Sequence, residues 1–164
     1  MLIFLDTEFT DFIDCELISI GMVSEDGAHI FYAERSDYRR DWANEFVKGT
    51  VLPYLYKRPE AICTRTELQA RLWAWFTTLP RHVQIACDSQ QDQDLLWDAF
   101  GEGLPANLDR KSYELAQLID TTVFHKAICD YQAKHGGWHH ALHDAQANRA
   151  GWLAWTDANM GERA

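Results

Sequence analysis

The chain opens on Met1-Leu2-Ile3-Phe4-Leu5 and runs without a break into Asp6-Thr7-Glu8. Residues 1–6 are nearly all apolar, so both faces of a strand built from them must be covered. That is the pattern of a central strand in a sheet with helices packed over it. Residues 16–23, Glu-Leu-Ile-Ser-Ile-Gly-Met-Val, predict a second strand, and residues 28–33, Ala-His-Ile-Phe-Tyr-Ala, a third. Ser24-Glu25-Asp26-Gly27 lies between them, and its Asp-Gly step favours a hairpin. An antiparallel pair this early argues against an all-parallel doubly wound sheet.

Further along, residues 40–48 predict a short helix. Thr64-Arg65-Thr66-Glu67 has capping-box spacing. Leu68, Leu72, Trp75, Phe76 and Leu79 then recur at helical intervals until Pro80. Val83–Cys87 predicts a fourth strand, Asp92–Phe100 a helix closed by Gly101, and Leu115–Asp120 a fifth strand. Residues 121–134 and His140–Trp155 predict helices on either side of a Gly136-Gly137 loop. The fold expected is α/β, a mixed sheet with antiparallel opening strands flanked by helices, in one domain spanning 1–164.

No stretch approaches the roughly 20 apolar residues that a membrane span needs. Cys15, Cys63, Cys87 and Cys129 are scattered without a C-x-x-C pair, as expected of free, mostly buried thiols in a cytoplasmic protein. The net charge of −10 disfavours a passive binder of long duplex. It is compatible with a metal site, because bound cations reverse the local sign.

The chemistry-bearing residues are carboxylates. Asp6 and Glu8 occupy positions i and i+2 of a strand and share one face. Side by side they repel unless neutralised, and hard divalent cations are the natural partners for oxygen ligands. Near the other end, the Gly136-Gly137 loop leads through Trp138-His139-His140 into a helix whose first turns contain Asp144. In the middle, Cys87-Asp88-Ser89-Gln90-Gln91-Asp92-Gln93-Asp94-Leu95-Leu96 offers three acids just after the fourth strand.

These three segments resemble the motifs of the DEDDh 3′–5′ exonucleases, the superfamily of ribonuclease T and the polymerase proofreading subunits. Asp6-Thr7-Glu8-Phe9 is similar to the first motif. His139 and Asp144 have the spacing of the third, and His140 stands where the tyrosine subclass carries Tyr. Setting Leu95-Leu96 on the family's apolar pair selects Asp92 for the middle motif, with Asp88 as the alternative and Asp94 as a solvated helix acid. Within the superfamily the chain looks like a branch of small bacterial and phage exoribonuclease-like proteins.

The resemblance implies a ribonuclease H-like fold, two Mg²⁺ or Mn²⁺ ions held by Asp6, Glu8, Asp92 and Asp144, and often a homodimer. It implies His139 as general base with Glu8 beside the reacting water. Thr7 and Phe9 would meet the terminal nucleotide of a single strand read from its 3′ end, RNA in preference to DNA. Trimming of DNA, or a catalytically silent nucleic-acid-binding module, are the competing readings.

Other residues admit plainer roles. The histidines of 135–143 could form a zinc site, although no paired cysteine supports one. His140 is the alternative base. Trp73, Trp75, Trp152 and Trp155 suit core or dimer contacts better than stacking platforms. Phe9 suits the core or a terminal base equally. Arg35, Arg39, Arg40, Lys57-Arg58 and Arg110-Lys111 are solvated basic groups that could contact phosphates.

Overall fold

The computed structural model describes residues 1–160. Strand β1 (Leu2–Phe9) runs through the acidic pair, β2 (Leu17–Ser24) and β3 (Ile30–Arg35) follow, and a 3-10 turn over Arg40–Trp42 leads to helix α1 (Glu45–Thr50). Next come β4 (Ile62–Cys63), α2 (Arg65–Thr77), β5 (Gln84–Cys87), α3 (Gln90–Phe100), β6 (Tyr113–Glu114), α4 (Ala116–Ile119), α5 (Thr122–His135) and α6 (Ala141–Met160). The sheet order is β4-β3-β2-β1-β5-β6, with β1, β2 and β3 antiparallel and β5 and β6 parallel to β1. This is the ribonuclease H-like topology expected from the sequence.

The apolar opening explains why β1 is central. Ile3 and Leu5 enter the larger core with Leu72 and Phe76 of α2 and Leu96 and Phe100 of α3. Phe4 points the other way, into a second core with Phe124 and Ile128 of α5 and Ala145 of α6. Each such fully buried side chain contributes roughly 1.5–3 kcal/mol. Alternation then fixes the polar positions. Asp6 and Glu8 share the α5/α6 face with Phe4, and Thr7 shares the α2/α3 face with Leu5.

Several local expectations need correction. The segment Leu115–Asp120 is not a strand: only Tyr113–Glu114 pairs with β5, and Ala116–Ile119 is helical. Leu115, Leu118 and Ile119 stand at i, i+3 and i+4, and the amides of Leu118 and Ile119 both donate to the Leu115 carbonyl. The helix expected over 40–48 is split, because Asn44 caps α1 by accepting from the Val47 amide at 2.9 Å. The capping box at Thr64 and Glu67 is present. Helix α3 begins two residues early, at Gln90, because the Ser89 hydroxyl accepts from the Gln91 amide. Arg35 is not a solvated cation: it is buried and donates to the Leu17 carbonyl and to Asp37. Cys63 and Cys87 are buried and Cys15 half-buried, but Cys129 is exposed, and all four are free thiols. Among the described residues no helix is long and apolar enough to cross a membrane.

One glycine positions the last helix. Gly21 of β2 pairs directly with Asp6 of β1. A Cβ there would collide with the backbone of Ala141 and Leu142 at the start of α6. Gly21→Ala is expected to cost about 1–3 kcal/mol through overpacking and to push the first turn of α6 away from β1. Urea unfolding measures the first effect; an unchanged midpoint would mean that α6 does not rest on β2.

Candidate metal centre

Three elements deliver the acids. β1 supplies Asp6 and Glu8, and a register irregularity between Glu8 and Phe9 ends the regular pairing just past them. α6 supplies Asp144 from its first turn. α3 supplies Asp92 from its own first turn, and Asp88 precedes that helix. Carboxylate oxygens of Asp6, Glu8 and Asp144 all lie within 4.8 Å of one another, and so do those of Asp6, Asp88 and Asp92. Asp6 is common to both triads.

The acids are oriented by backbone donors. Asp92 reaches β1 from the opposite face of the sheet: its Oδ1 accepts from the Thr7 amide at 3.1 Å and from the Thr7 hydroxyl at 2.5 Å. Thr7 is therefore engaged with Asp92 through both of its donors. Asp144 accepts from the His139 amide at 2.8 Å and the His140 amide at 3.2 Å through Oδ2, and from the buried Gln132 amide group through Oδ1. His139 has a positive φ of 70°, a region few non-glycine residues adopt. The consecutive amides on either side of this turn converge on one oxygen, the arrangement of an anion-binding nest.

Among the described residues, none of the five acids forms an ion pair with Lys, Arg or His. Burial, reinforced by Asp144 and Asp92, pushes Glu8 up to about 8. Burial likewise pushes Asp92 up to about 7, against the opposing effect of the Thr7 hydrogen bonds. Asp6 is raised well above the carboxylate range by burial and then by its acidic neighbours, Asp92 first. Burial raises Asp144 as well, and the protein packed around Asp88 raises it although its side chain is exposed to the cleft. Oxygen donors alone, converging and lacking a cationic side chain, match the ligand preference of hard divalent ions. The residues present thus fit a metal centre.

A cleft of about 230 Å³ opens on the cluster, lined by Asp6, Glu8, Asp88, Trp138, His139 and Asn148 among others. The half-exposed His139 ring lies edge-on to the exposed Phe46, with centroids 4.9 Å apart. His140 is different: it is buried, stacked between Tyr32 and His143, and its Nδ1 faces the His143 amide at 3.4 Å. Burial and the His143 ring push His140 down to about 4. It is a neutral helix cap facing away from the acids.

The structure therefore brings Asp6, Thr7, Glu8, Asp92, His139 and Asp144 together. Phe9 does not line the cleft. It is half-buried against the larger core and edge-on to Phe12. Asp94 is exposed and accepts from Gln90. Asp88 and Asp92 read as alternatives in the sequence, yet both join the cluster. Neither Gln132 nor Asn148 is singled out in the sequence; the spacing of Asn148, one helical turn after Asp144, is the signal that could place it on the same face. No family model matches the chain, and no curated protein matches it.

The raised carboxyls make stability depend on pH. Acids whose pKa is higher folded than unfolded retain protons that the unfolded chain has released, so stability falls as pH rises above about 4 and continues to fall through about 8, the value for Glu8. In EDTA, Tm should fall over this range, and Glu8→Gln should flatten the slope. Saturating Mg²⁺ or Mn²⁺ should raise Tm, and by more at pH 8 than at pH 5, since protons and cations compete for the same oxygens. A cation effect independent of pH would contradict the assignment of these acids as ligands.

Proposed function

We propose that the protein is a divalent-metal-dependent 3′–5′ exonuclease acting on single-stranded nucleic acid, RNA in preference to DNA, and releasing nucleoside 5′-monophosphates. The observation that carries this reading is the meeting of Asp6, Glu8, Asp92 and Asp144 in one cluster with His139 on the same cleft. The ribonuclease H-like sheet and the acids at the end of its central strand are consistent with a nuclease. The DEDDh resemblance supports the finer assignment, the 3′ polarity and a homodimer.

Asp6, shared by both triads, would be the common ligand, with Glu8 and Asp144 on one side and Asp92, helped by Asp88, on the other. Two Mg²⁺ or Mn²⁺ ions held there would supply Lewis acidity toward the attacking water and the leaving oxygen. The protein's own contribution is orientation and proton transfer. Thr7 fixes Asp92, and the amides of His139 and His140 fix Asp144. His139 takes a proton from water as its oxygen attacks phosphorus. The bond from phosphorus to the 3′-oxygen breaks, and that oxygen acquires a proton, so one water is added across the bond. Phe9, away from the cleft, would meet a terminal base only after moving, whereas Trp138 already lines it.

Single-stranded RNA and DNA of one sequence, labelled at the 5′ end, test the reading directly. With Mg²⁺ or Mn²⁺ both should shorten stepwise from the 3′ end, RNA faster, with 5′-monophosphates as products, and EDTA should stop the reaction. No nucleotide release under any of these conditions would overturn the assignment.

The base is tested separately. His139→Ala should lower kcat by about 10²–10⁴, leave cation affinity nearly intact and recover in part at high pH, where hydroxide needs no base. His140→Ala should lower Tm more than kcat, since its ring caps α6. If His139→Ala loses cation affinity instead, the imidazole is a ligand rather than a base.

A further inference from the structure

Beside the acidic cleft lies a second concavity of about 170 Å³, lined by Glu34, Tyr54, Lys57, Arg58, His140 and His143. Lys57 and Arg58 are exposed and, among the described residues, form no ion pair. Aromatic rings support them instead. Lys57 Nζ lies 5.3 Å from the Tyr54 centroid, and Arg58 Cζ lies 6.0 Å from that of Tyr32. Many other cations of the chain are engaged. Arg35, Arg39, Lys48, Arg65 and Lys126 pair with acids, and Arg71 and Arg149 donate to backbone carbonyls. Arg40, Arg81, Arg110, Lys111 and Lys134 also lack an ion pair among the described residues, so what sets Lys57 and Arg58 apart is that both line one concavity next to the acidic cleft, each over an aromatic ring.

The remaining lining groups suit an anion as well. Glu34, the one acid in the wall, is buried and already accepts from the Tyr32 hydroxyl at 2.8 Å and the Tyr56 amide at 2.5 Å. The His140 Nδ1 accepts from the His143 amide, so its ring proton sits on Nε2. The pocket wall thus carries a guanidinium, an ammonium, two imidazole rings and the Tyr54 phenol, a set rich in groups that suit phosphate.

The pocket adjoins the site across one short stretch of chain. The segment from Gly136 to Asp144 separates the two: His139 and Asp144 line the cleft, and His140 and His143 line the pocket. Tyr54 packs against Gly137, where a Cβ would sit 3.5 Å from its hydroxyl. We propose that Lys57 and Arg58 form a phosphate subsite, holding the substrate strand by a phosphate upstream of the scissile bond across the start of α6. This inference rests on the exonuclease reading above.

The test compares two substrates in the intact protein. One is a 5′-fluorescein-labelled single-stranded tetranucleotide. The other is the p-nitrophenyl ester of thymidine 5′-monophosphate, which has a single phosphodiester and nothing upstream. In Lys57→Gln/Arg58→Gln, the ratio of kcat/KM for the tetranucleotide to that for the ester should fall about tenfold or more, the worth of one charge-assisted contact. The loss should lie in KM. The slope of log affinity against log salt should become shallower by about 0.7 for each phosphate contact removed. An unchanged ratio, or an unchanged salt slope, would overturn the subsite. If the wild type cleaves neither substrate, the exonuclease reading has failed on its own. Tetranucleotide binding, followed by fluorescence anisotropy, then decides the pocket: weaker binding and a shallower salt slope in the double variant support it, and equal binding overturns it.

Discussion

At Gly21 the absence of a side chain lets the backbone of Ala141 and Leu142 rest directly on β2, across from Asp6. The geometry of the acidic cluster depends on that contact. Helix α6 carries Asp144 in its first turn, so the height of its N-terminus above the sheet sets how near Asp144 comes to Asp6 and Glu8. Any larger residue at position 21 would act as a spacer under the helix. The same closeness brings the 136–140 loop over the end of β1, where the His139 and His140 amides reach Asp144. Backbone contact thus places the acid, and backbone donors then fix its orientation.

The cluster is assembled from both faces of the sheet. Asp6 and Glu8 look toward α6, whereas Thr7, one residue between them, looks toward α3 and holds Asp92 through its amide and hydroxyl. Period-two alternation therefore uses all three residues of Asp-Thr-Glu. The outcome is electrostatically costly without cations, as the raised carboxyls of Asp6, Glu8 and Asp92 record. A fold selected for stability alone would dilute these charges. Local rules broken at one place, beside a well-ordered core, are what a functional site looks like.

What was legible in the sequence follows the strength of the local signal. The central strand, the hairpin and the helix after the Thr64 capping box were readable because burial on both faces, an Asp-Gly turn and a reciprocal cap each leave a pattern in a few adjacent residues. The segment after β6 departs from the expected strand because Leu115, Leu118 and Ile119 are too few to separate a helical period from a strand, and a sheet edge leaves a strand little partner to hold it. The acids of β1 and α6 stood in recognisable motifs. The choice between Asp88 and Asp92 was a question of alignment, whereas space admits both. Gln132 and Gly21 carry no local mark at all. Their importance arises from contacts with Asp144 and with the start of α6, each more than ten residues away along the chain.

His139 and His140 show how far one peptide unit can separate two identical side chains. The left-handed turn at His139 sends its ring to the cleft and the next ring under α6, against Tyr32. One imidazole stays half-exposed beside five acids; the other is buried, uncharged at neutral pH and committed to the helix end. Net charge is a poor guide at this scale. Exposed charges separated by more than a Debye length of about 8 Å at physiological salt are largely screened from one another. A strand approaching the start of α6 would therefore respond less to the charge of the whole chain than to the groups beside it, the acids and any cations they hold on one side and Lys57 and Arg58 on the other. The loop between them carries the His139 ring that lines the acidic cleft.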